Sequence, residues 1–187
     1  MGSCNGLLWV GVNKGVNGVD WDMVLWNPST GDYKILPTPC PSFKTYYHEG
    51  KQLQGLGYCN DNYKMVRVIC DGEYRRVDVY TLKSNSWKKI IEDVFKERHI
   101  FYFPNIRGTV VNGLLYWLVV YEFHYHSHKK VLGFDLKNEK LTELPLPSKS
   151  ICNMEAYLTV IEGSLGMYCI TFAQTRDIIV WKMREIE

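Results

Sequence analysis

The sequence contains no long apolar run. Its longest stretch of purely apolar and aromatic residues, Leu114 to Tyr121, is far shorter than the ~20 residues that a helix needs to cross a bilayer. That stretch has the length of a buried β-strand. The amino terminus lacks a basic segment followed by an apolar one, so we expect no secretory signal and no association with a membrane.

A surplus of one charge sign is also lacking. The 22 Lys and Arg residues nearly balance the 20 Asp and Glu residues, which leaves a net charge of +2. These charges are scattered along the chain, whereas nucleic-acid-binding domains concentrate positive charge on one face. We therefore expect no nucleic-acid partner.

The cysteines form no C-x-x-C pair. Their wide spacing argues against a zinc ribbon and only weakly permits a disulfide framework. Reduced thiols are typical of intracellular proteins, so we expect the protein in the cytoplasm, the nucleus or both. The six cysteines are Cys4, Cys40, Cys59, Cys70, Cys152 and Cys169.

What the sequence does have is an internal repeat. Four short segments each combine an apolar strand with an aromatic residue near its end, and these aromatic residues lie 54, 54 and 47 residues apart. They are Trp26, Tyr80, Phe134 and Trp181. A period near 50 residues is typical of kelch-type propeller blades.

Each repeat predicts a β-hairpin. A turn rich in Pro, Ser, Asn or Gly follows the aromatic residue in the first three units, and a second apolar strand follows that turn. A strand led by glycine lies upstream of each aromatic residue, with Gly55 and Gly57 of the second unit as the counterparts of Gly6, Gly113 and Gly163. With the strands between them, each unit contains about four strands, as a propeller blade does.

The fourth unit stops before its last strand, because the chain ends at Glu187. Two alternatives follow: the amino-terminal strand completes the fourth unit, or the ring is incomplete because the chain is a piece of a longer ring. Only Ile90 to Arg98 suggests a helix, and it is short. We predict an all-β, propeller-like fold of four-stranded units. The repeat places large core residues at Trp26, Tyr33, Tyr80, Trp87, Trp117, Phe134 and Trp181.

Patterns that could carry metal or nucleophile chemistry are weak. His124, His126 and His128 alternate along a predicted extended segment, where three imidazoles could bind Zn or Cu, but spacing fixes no further ligand. Cys59 and His48 could meet only through the fold, and no nucleophile motif accompanies them. We expect no catalytic residue, no metal and no cofactor.

A sugar site is a further alternative. Asp20 and Asp22 flank Trp21, and carboxylates beside an aromatic ring can bind and cleave sugars. Strand alternation instead favours an inward Trp21 with both aspartates in water.

Aromatic residues are the more informative feature, because the chain has 13 Tyr, 6 Trp and 7 Phe, more than the repeated core positions require. Two aromatic clusters, residues 43–48 and 121–126, fall in predicted connections. Aromatic residues in loops often anchor protein interfaces, although they could instead cover blade edges. The predicted partner-binding residues are Tyr46, Tyr47, His48, Phe123, His124 and Tyr125.

Several segments, in order, resemble the F-box-associated interaction domain, type 1, of plant F-box proteins. They are Gly2 to Leu8, Trp26 to Pro37, Gly57-Tyr58, Asn62 to Arg67, Val79 to Lys88, Val111 to Trp117, Phe134 to Leu136 and Val180 to Met183. The chain departs from true kelch blades because it has no Gly-Gly pair.

The resemblance implies that residues 1–187 form one kelch-like, F-box-associated domain without the upstream F-box. It implies a substrate-recognition module of an SCF-type E3 ubiquitin ligase, which binds a protein target for ubiquitination. The Skp adaptor and the cullin would then be reached only through an F-box that these residues lack. The alternative function is that of a small propeller that binds carbohydrate or acts as an enzyme.

Overall fold

The computed structural model describes residues 2–13, 21–38, 52–71, 74–90, 100–102, 107–123, 126–146, 155–170 and 177–183. Every regular element in this part of the chain is a β-strand. The strands form four antiparallel sheets that follow one another along the chain, and these are the four blades of a β-propeller. The prediction of an all-β, propeller-like fold is confirmed.

Blades 1 and 2 each have four strands in chain order. Blade 1 contains β1 (Gly2–Cys4), β2 (Leu7–Asn13), β3 (Trp21–Trp26) and β4 (Tyr33–Ile35). Blade 2 contains β5 (Gln52–Cys59), β6 (Asn62–Asp71), β7 (Tyr74–Thr81) and β8 (Ser86–Ile90).

Blades 3 and 4 depart from four strands. In blade 3, β9 (Ile100–Tyr102) and β10 (Thr109–Val111) both pair with β11 (Leu114–Phe123), and β12 (His126–Asp135) and β13 (Lys140–Leu144) follow. Blade 4 has three described strands, β14 (Glu155–Ile161), β15 (Ser164–Ile170) and β16 (Ile178–Lys182). Because β1 pairs with β2 in blade 1, the alternative in which the amino-terminal strand completes the fourth blade is wrong.

Consecutive blades pack face to face. One apolar cluster joins blades 1 and 2 around Trp9 and Tyr80, a second joins blades 2 and 3 around Val66 and Trp117, and a third joins blades 3 and 4 around Met167. The first strands of neighbouring blades contact each other, as expected for strands that surround a propeller axis.

The predicted glycine alignment is wrong in blade 2. Gly6, Gly113 and Gly163 lie in two-residue turns with positive φ, but the equivalent turn in blade 2 is Asn60-Asp61, also with positive φ. Asn and Asp tolerate this left-handed conformation better than other non-glycine residues. Gly57 lies within β5 instead, where an added Cβ would be 2.4 Å from Cδ1 of Leu136. Glycine there permits close contact between blades 2 and 3.

The predicted core residues are confirmed in blades 2 and 3, but the two predicted in blade 1 are exposed. Tyr80, Trp117 and Phe134 are fully buried, whereas Trp26 and Tyr33 are 39% and 70% exposed. The two exposed side chains share a face of blade 1 that no other described blade covers. Trp87 and Trp181 are partly buried against core clusters. Of the suggested helix, Ile90 ends β8 and the remainder lies outside the described residues.

Candidate partner-binding site

The two ends of the blades differ in how the chain connects them. In an antiparallel meander, the turns after the first and third strands lie at one end, which we call the turn rim. The links after the second strand and those to the next blade lie at the other end, the connection rim. Gln54 and Arg107 form a parallel bridge, so the first strands of blades 2 and 3 run in the same direction. Each rim is therefore shared by these blades.

The turn rim is built from short turns with fixed backbone conformations. Between the first two strands of each blade, a two-residue turn has positive φ at both positions, which matches the twist of a β-hairpin. Between the third and fourth strands, positive φ recurs at Gly31, Asn85 and Glu139, three positions that are 54 residues apart. This rim is conformationally restricted by its backbone.

The strands that flank both predicted partner-binding clusters end at the connection rim. Tyr46, Tyr47 and His48 fall between β4 and β5, and they lie outside the described residues. Phe123 is the last residue of β11 and pairs with His126. The side chain of Phe123 lies outside the described part of the chain, as do His124 and Tyr125, so their role in binding stays a prediction.

A partly buried polar network lies near the end of β11. The Tyr121 hydroxyl donates a hydrogen bond of 2.6 Å to Oε1 of Glu143. Lys130 forms an ion pair of 3.0 Å with the other carboxylate oxygen, and its Nζ lies 5.0 Å from the centroid of the Tyr121 ring. Tyr121 is only 1% exposed. This network fixes the three outer strands of blade 3 close to the link that contains His124 and Tyr125.

A second polar network, with Arg67 and Asp78 buried, lies on the side of blade 2 that faces blade 1. Nη2 of Arg67 donates a 2.8 Å hydrogen bond to Gln52, the first residue of β5. Nε of Arg76 lies 3.2 Å from the carboxylate of Asp78, and Arg67 and Asp78 are 3% and 5% exposed. Burial raises the pKa of Asp78 and outweighs the opposing effect of Arg76 and Arg67. The network anchors the strand that follows residues 39–51.

Sequence reasoning missed this network, although a signal was present. Arg67 and Asp78 each stand between two valines in the sequence, and they pair directly across β6 and β7. A charged residue inside an apolar strand is costly to bury unless it has a partner. Opposite charges at facing positions of two such strands therefore predict a buried polar network, in which Asp78 forms its ion pair with Arg76.

Two of the described cysteines, Cys4 and Cys169, lack the lowered pKa of a nucleophile. Burial raises the pKa of the Cys4 thiol, and it raises the pKa of the Cys169 thiol against a weaker opposing effect of Lys129. Reactive cysteines instead have a lowered pKa, because the thiolate is the nucleophile. Cys59 is half-buried in β5, whereas His48 lies outside the described residues.

The metal and sugar hypotheses find little structural support in the described residues. His128 is exposed on β12, and no cluster of three His, Cys, Asp or Glu residues in the described ranges could hold a metal ion. Asp22 is half-buried on β3. Asp20 and the side chain of Trp21 lie outside the described part of the chain.

The F-box associated beta propeller domain family matches residues 1–187. The chain belongs to this family. Within the part that the structure describes, this F-box-associated propeller contains no helix that could cross a membrane.

Relatives of this F-box-associated propeller include F-box proteins of Arabidopsis thaliana. F-box protein CPR1 is 26% identical over 98% of the chain and 48% of its own length. F-box/WD-40 repeat-containing protein 1 is 30% identical over 98% of the chain and 44% of its own length. Putative F-box only protein 9 is 24% identical over 90% of the chain and 44% of its own length. The chain spans less than half the length of these relatives.

Proposed function

We propose that this F-box-associated propeller recognises the protein substrate of an SCF-type E3 ubiquitin ligase and does not itself catalyse a reaction. The observation that carries this proposal is the family match over residues 1–187, together with relatives that are named as F-box proteins. Contact with the Skp adaptor and the cullin would be made by an F-box. Recognition of the target would be made by the propeller, in the cytoplasm or the nucleus.

The connection rim supports this role better than the turn rim does. The connection between β4 and β5, residues 36–51, is long enough to vary in sequence without disturbing the blades, and the two-residue link at 124–125 lies at the same rim, whereas the turn rim consists of turns with restricted φ. The aromatic residues proposed to contact the target are Tyr46, Tyr47 and Tyr125, with His48, Phe123 and His124 beside them. Tyrosine buries a large area on binding and loses little conformational entropy.

The blades beneath the rim supply rigidity. Three apolar clusters hold consecutive blades together, and partly buried polar networks fix β5 and β11 near the links that carry the aromatic residues. A preorganised surface binds more tightly because fewer groups must be ordered when the partner arrives. The propeller would therefore present its rim side chains in a fixed arrangement.

Affinity capture from plant extract tests the proposal. The 187-residue chain is immobilised alone and also as a fusion behind an F-box, and retained proteins are identified by mass spectrometry. We expect one protein to be retained by both forms and the Skp adaptor to be retained only by the fusion. If neither form retains a protein and a glycan array gives a reproducible hit, the chain is a carbohydrate-binding propeller and the proposal is wrong.

A further inference from the structure

Blade 2 has charged residues at a position where the other blades are apolar. In each blade, the residue two before the repeated aromatic residue pairs with a residue of the second strand. These pairs are Val24 with Val10 in blade 1, Leu132 with Trp117 in blade 3 and Ile179 with Cys169 in blade 4, but Asp78 with Arg67 in blade 2. Arg67 and Asp78 are 3% and 5% exposed. Blade 2 therefore buries charge where apolar pairs complete the same fold.

Packing alone does not account for this difference. A charged side chain is costly to remove from water, and apolar residues of similar volume often stabilise a fold equally well. Arg76 forms an ion pair of 3.2 Å with Asp78, which offsets part of the cost but adds a third charged residue to the face toward blade 1. We therefore expect Arg67 to have a role that an apolar residue cannot fill.

That role is found at the start of β5. Nη2 of Arg67 donates a 2.8 Å hydrogen bond to Oε1 of Gln52, the first residue of β5 and the one that directly follows the β4–β5 connection. Arg67 pairs with Gln54 rather than with Gln52, so a donor must extend along the sheet by two residues to reach Gln52. A long guanidinium side chain can do this, whereas an apolar side chain has no donor.

Blade 2 also holds the other end of the β4–β5 connection. Nε1 of Trp87 donates a 2.7 Å hydrogen bond to the carbonyl of Pro37, and the centroids of the Trp87 and Tyr80 rings are 5.4 Å apart. At the equivalent repeat positions, Tyr33 and Leu141 have no indole N–H. Both ends of this connection are thus hydrogen-bonded to side chains of blade 2.

We propose that Arg67 and Trp87 are positioning residues for target recognition, because they fix the two ends of the β4–β5 connection. This inference rests on the proposed function, in which Tyr46 and Tyr47 of this connection contact the target. A connection that is fixed at both ends has fewer conformations to lose on binding, so the two contacts raise affinity. Asp78 supplies the opposite charge that lowers the cost of burying Arg67.

The affinity of matched variants of the 187-residue chain for the captured target tests the inference. Gln52→Leu removes the acceptor of Arg67 and should bind about five- to tenfold more weakly. Gln52→Glu keeps an acceptor and should bind like the wild type. Trp87→Phe keeps an aromatic ring, loses the N–H and should also bind more weakly. The control Tyr80→Phe loses a 2.8 Å hydrogen bond to Asn85 on the same face of blade 2 and should bind like the wild type.

An apolar replacement separates positioning from packing. Arg67→Met combined with Asp78→Val gives blade 2 an apolar pair like those of the other blades. The double variant should unfold at a temperature near that of the wild type, since Arg76 is 20% exposed and can reach water. It should nevertheless bind the target as weakly as Gln52→Leu does. Thermal unfolding of every variant is measured beside its affinity.

The outcomes distinguish this inference from the proposed function. Wild-type affinity in Gln52→Leu and Trp87→Phe would overturn the inference and leave the proposed function standing. An equal loss of affinity in Tyr80→Phe would show that stability alone controls binding, which also contradicts the inference. A wild-type chain that captures no target overturns both. If the double variant does not fold, Gln52→Leu and Trp87→Phe still decide.

Discussion

Glu139 joins blades 2 and 3 at the turn rim. Its two carboxylate oxygens lie 2.8 Å from Nζ of Lys64 and 2.7 Å from Nζ of Lys88. Lys64 also donates a 2.7 Å hydrogen bond to the carbonyl of Leu136. Burial alone would raise the pKa of Glu139, but the hydrogen bonds and charges of Lys64 and Lys88 outweigh it and hold the pKa below its usual 4.5.

The lowered pKa makes this contact sensitive to acid. Above pH 4.5 the carboxylate is ionised in both the folded and the unfolded chain, and its full contribution to stability is present. As the pH falls from 4.5 through the lower folded pKa, the unfolded chain takes up the proton first, so the contribution is lost.

Glu139→Gln should lower the free energy of unfolding at pH 7 by about 1–2 kcal/mol, because the largely buried Lys64 loses its charged partner. The difference from the wild type should shrink as the pH falls below 4.5. Urea denaturation over a pH series measures both effects. The matched control is Glu162→Gln, since Glu162 contacts Lys182 at 2.7 Å but is 79% exposed. Equal losses in the two variants, or a difference that does not change with pH, would contradict the assignment.

At the scale of single elements, the two-residue turns test whether backbone conformation selects the sequence. The first turn residue has positive φ in all four blades and is Asn5, Asn60, Asn112 or Glu162. Asparagine occupies the left-handed region at lower cost than other non-glycine residues. Glu162 is therefore the residue least suited to its turn.

Exchanging the two residue types should change stability in opposite directions. Asn112→Glu should lower the free energy of unfolding by about 1 kcal/mol, because glutamate is strained at positive φ. Glu162→Asn should raise the melting temperature, since an exposed ion pair with Lys182 offsets little of the gain. Thermal unfolding of both variants measures the effect. If both substitutions are neutral, backbone conformation does not decide these positions.

Much at the element scale follows from the sequence, and the exceptions have physical reasons. The hairpin turns of blades 1 and 3 were predictable because each is an Asn-Gly pair, Asn5-Gly6 and Asn112-Gly113. The turn at Asn60-Asp61 was missed because Gly55 and Gly57 gave a stronger but misleading signal nearby. Those glycines are needed because side chains of blade 3 pack closely against them, which is a tertiary constraint.

At the scale of the whole molecule, the repeat period predicts the number of blades but not which blade faces are covered. Trp26 and Tyr33 occupy the same repeat positions as the buried Tyr80 and the partly buried Trp87. They are exposed because no described blade packs against their side of blade 1. A periodic sequence assigns equivalent positions equivalent environments, so exposure at the ends of the blade series requires the three-dimensional arrangement.

The partner-binding residues could be proposed from the sequence only as aromatic clusters in connections. The topology adds that the flanking strands of both clusters, β4, β5, β11 and β12, end at the connection rim. Which of these side chains contacts a target depends on the target, and that information is not contained in the fold of the propeller.

The dissociation constant of the captured target for three forms of the chain is the most direct test of recognition at the connection rim. The forms are the wild type, the triple variant Tyr46→Ala, Tyr47→Ala and Tyr125→Ala, and the turn-rim control Tyr58→Ala, whose tyrosine is 38% exposed. Loss of central aromatic contacts costs at least about 1.4 kcal/mol, so the triple variant should bind at least about tenfold more weakly. Tyr58→Ala should bind like the wild type. Unchanged affinity in the triple variant, or a loss confined to Tyr58→Ala, would contradict recognition at the connection rim.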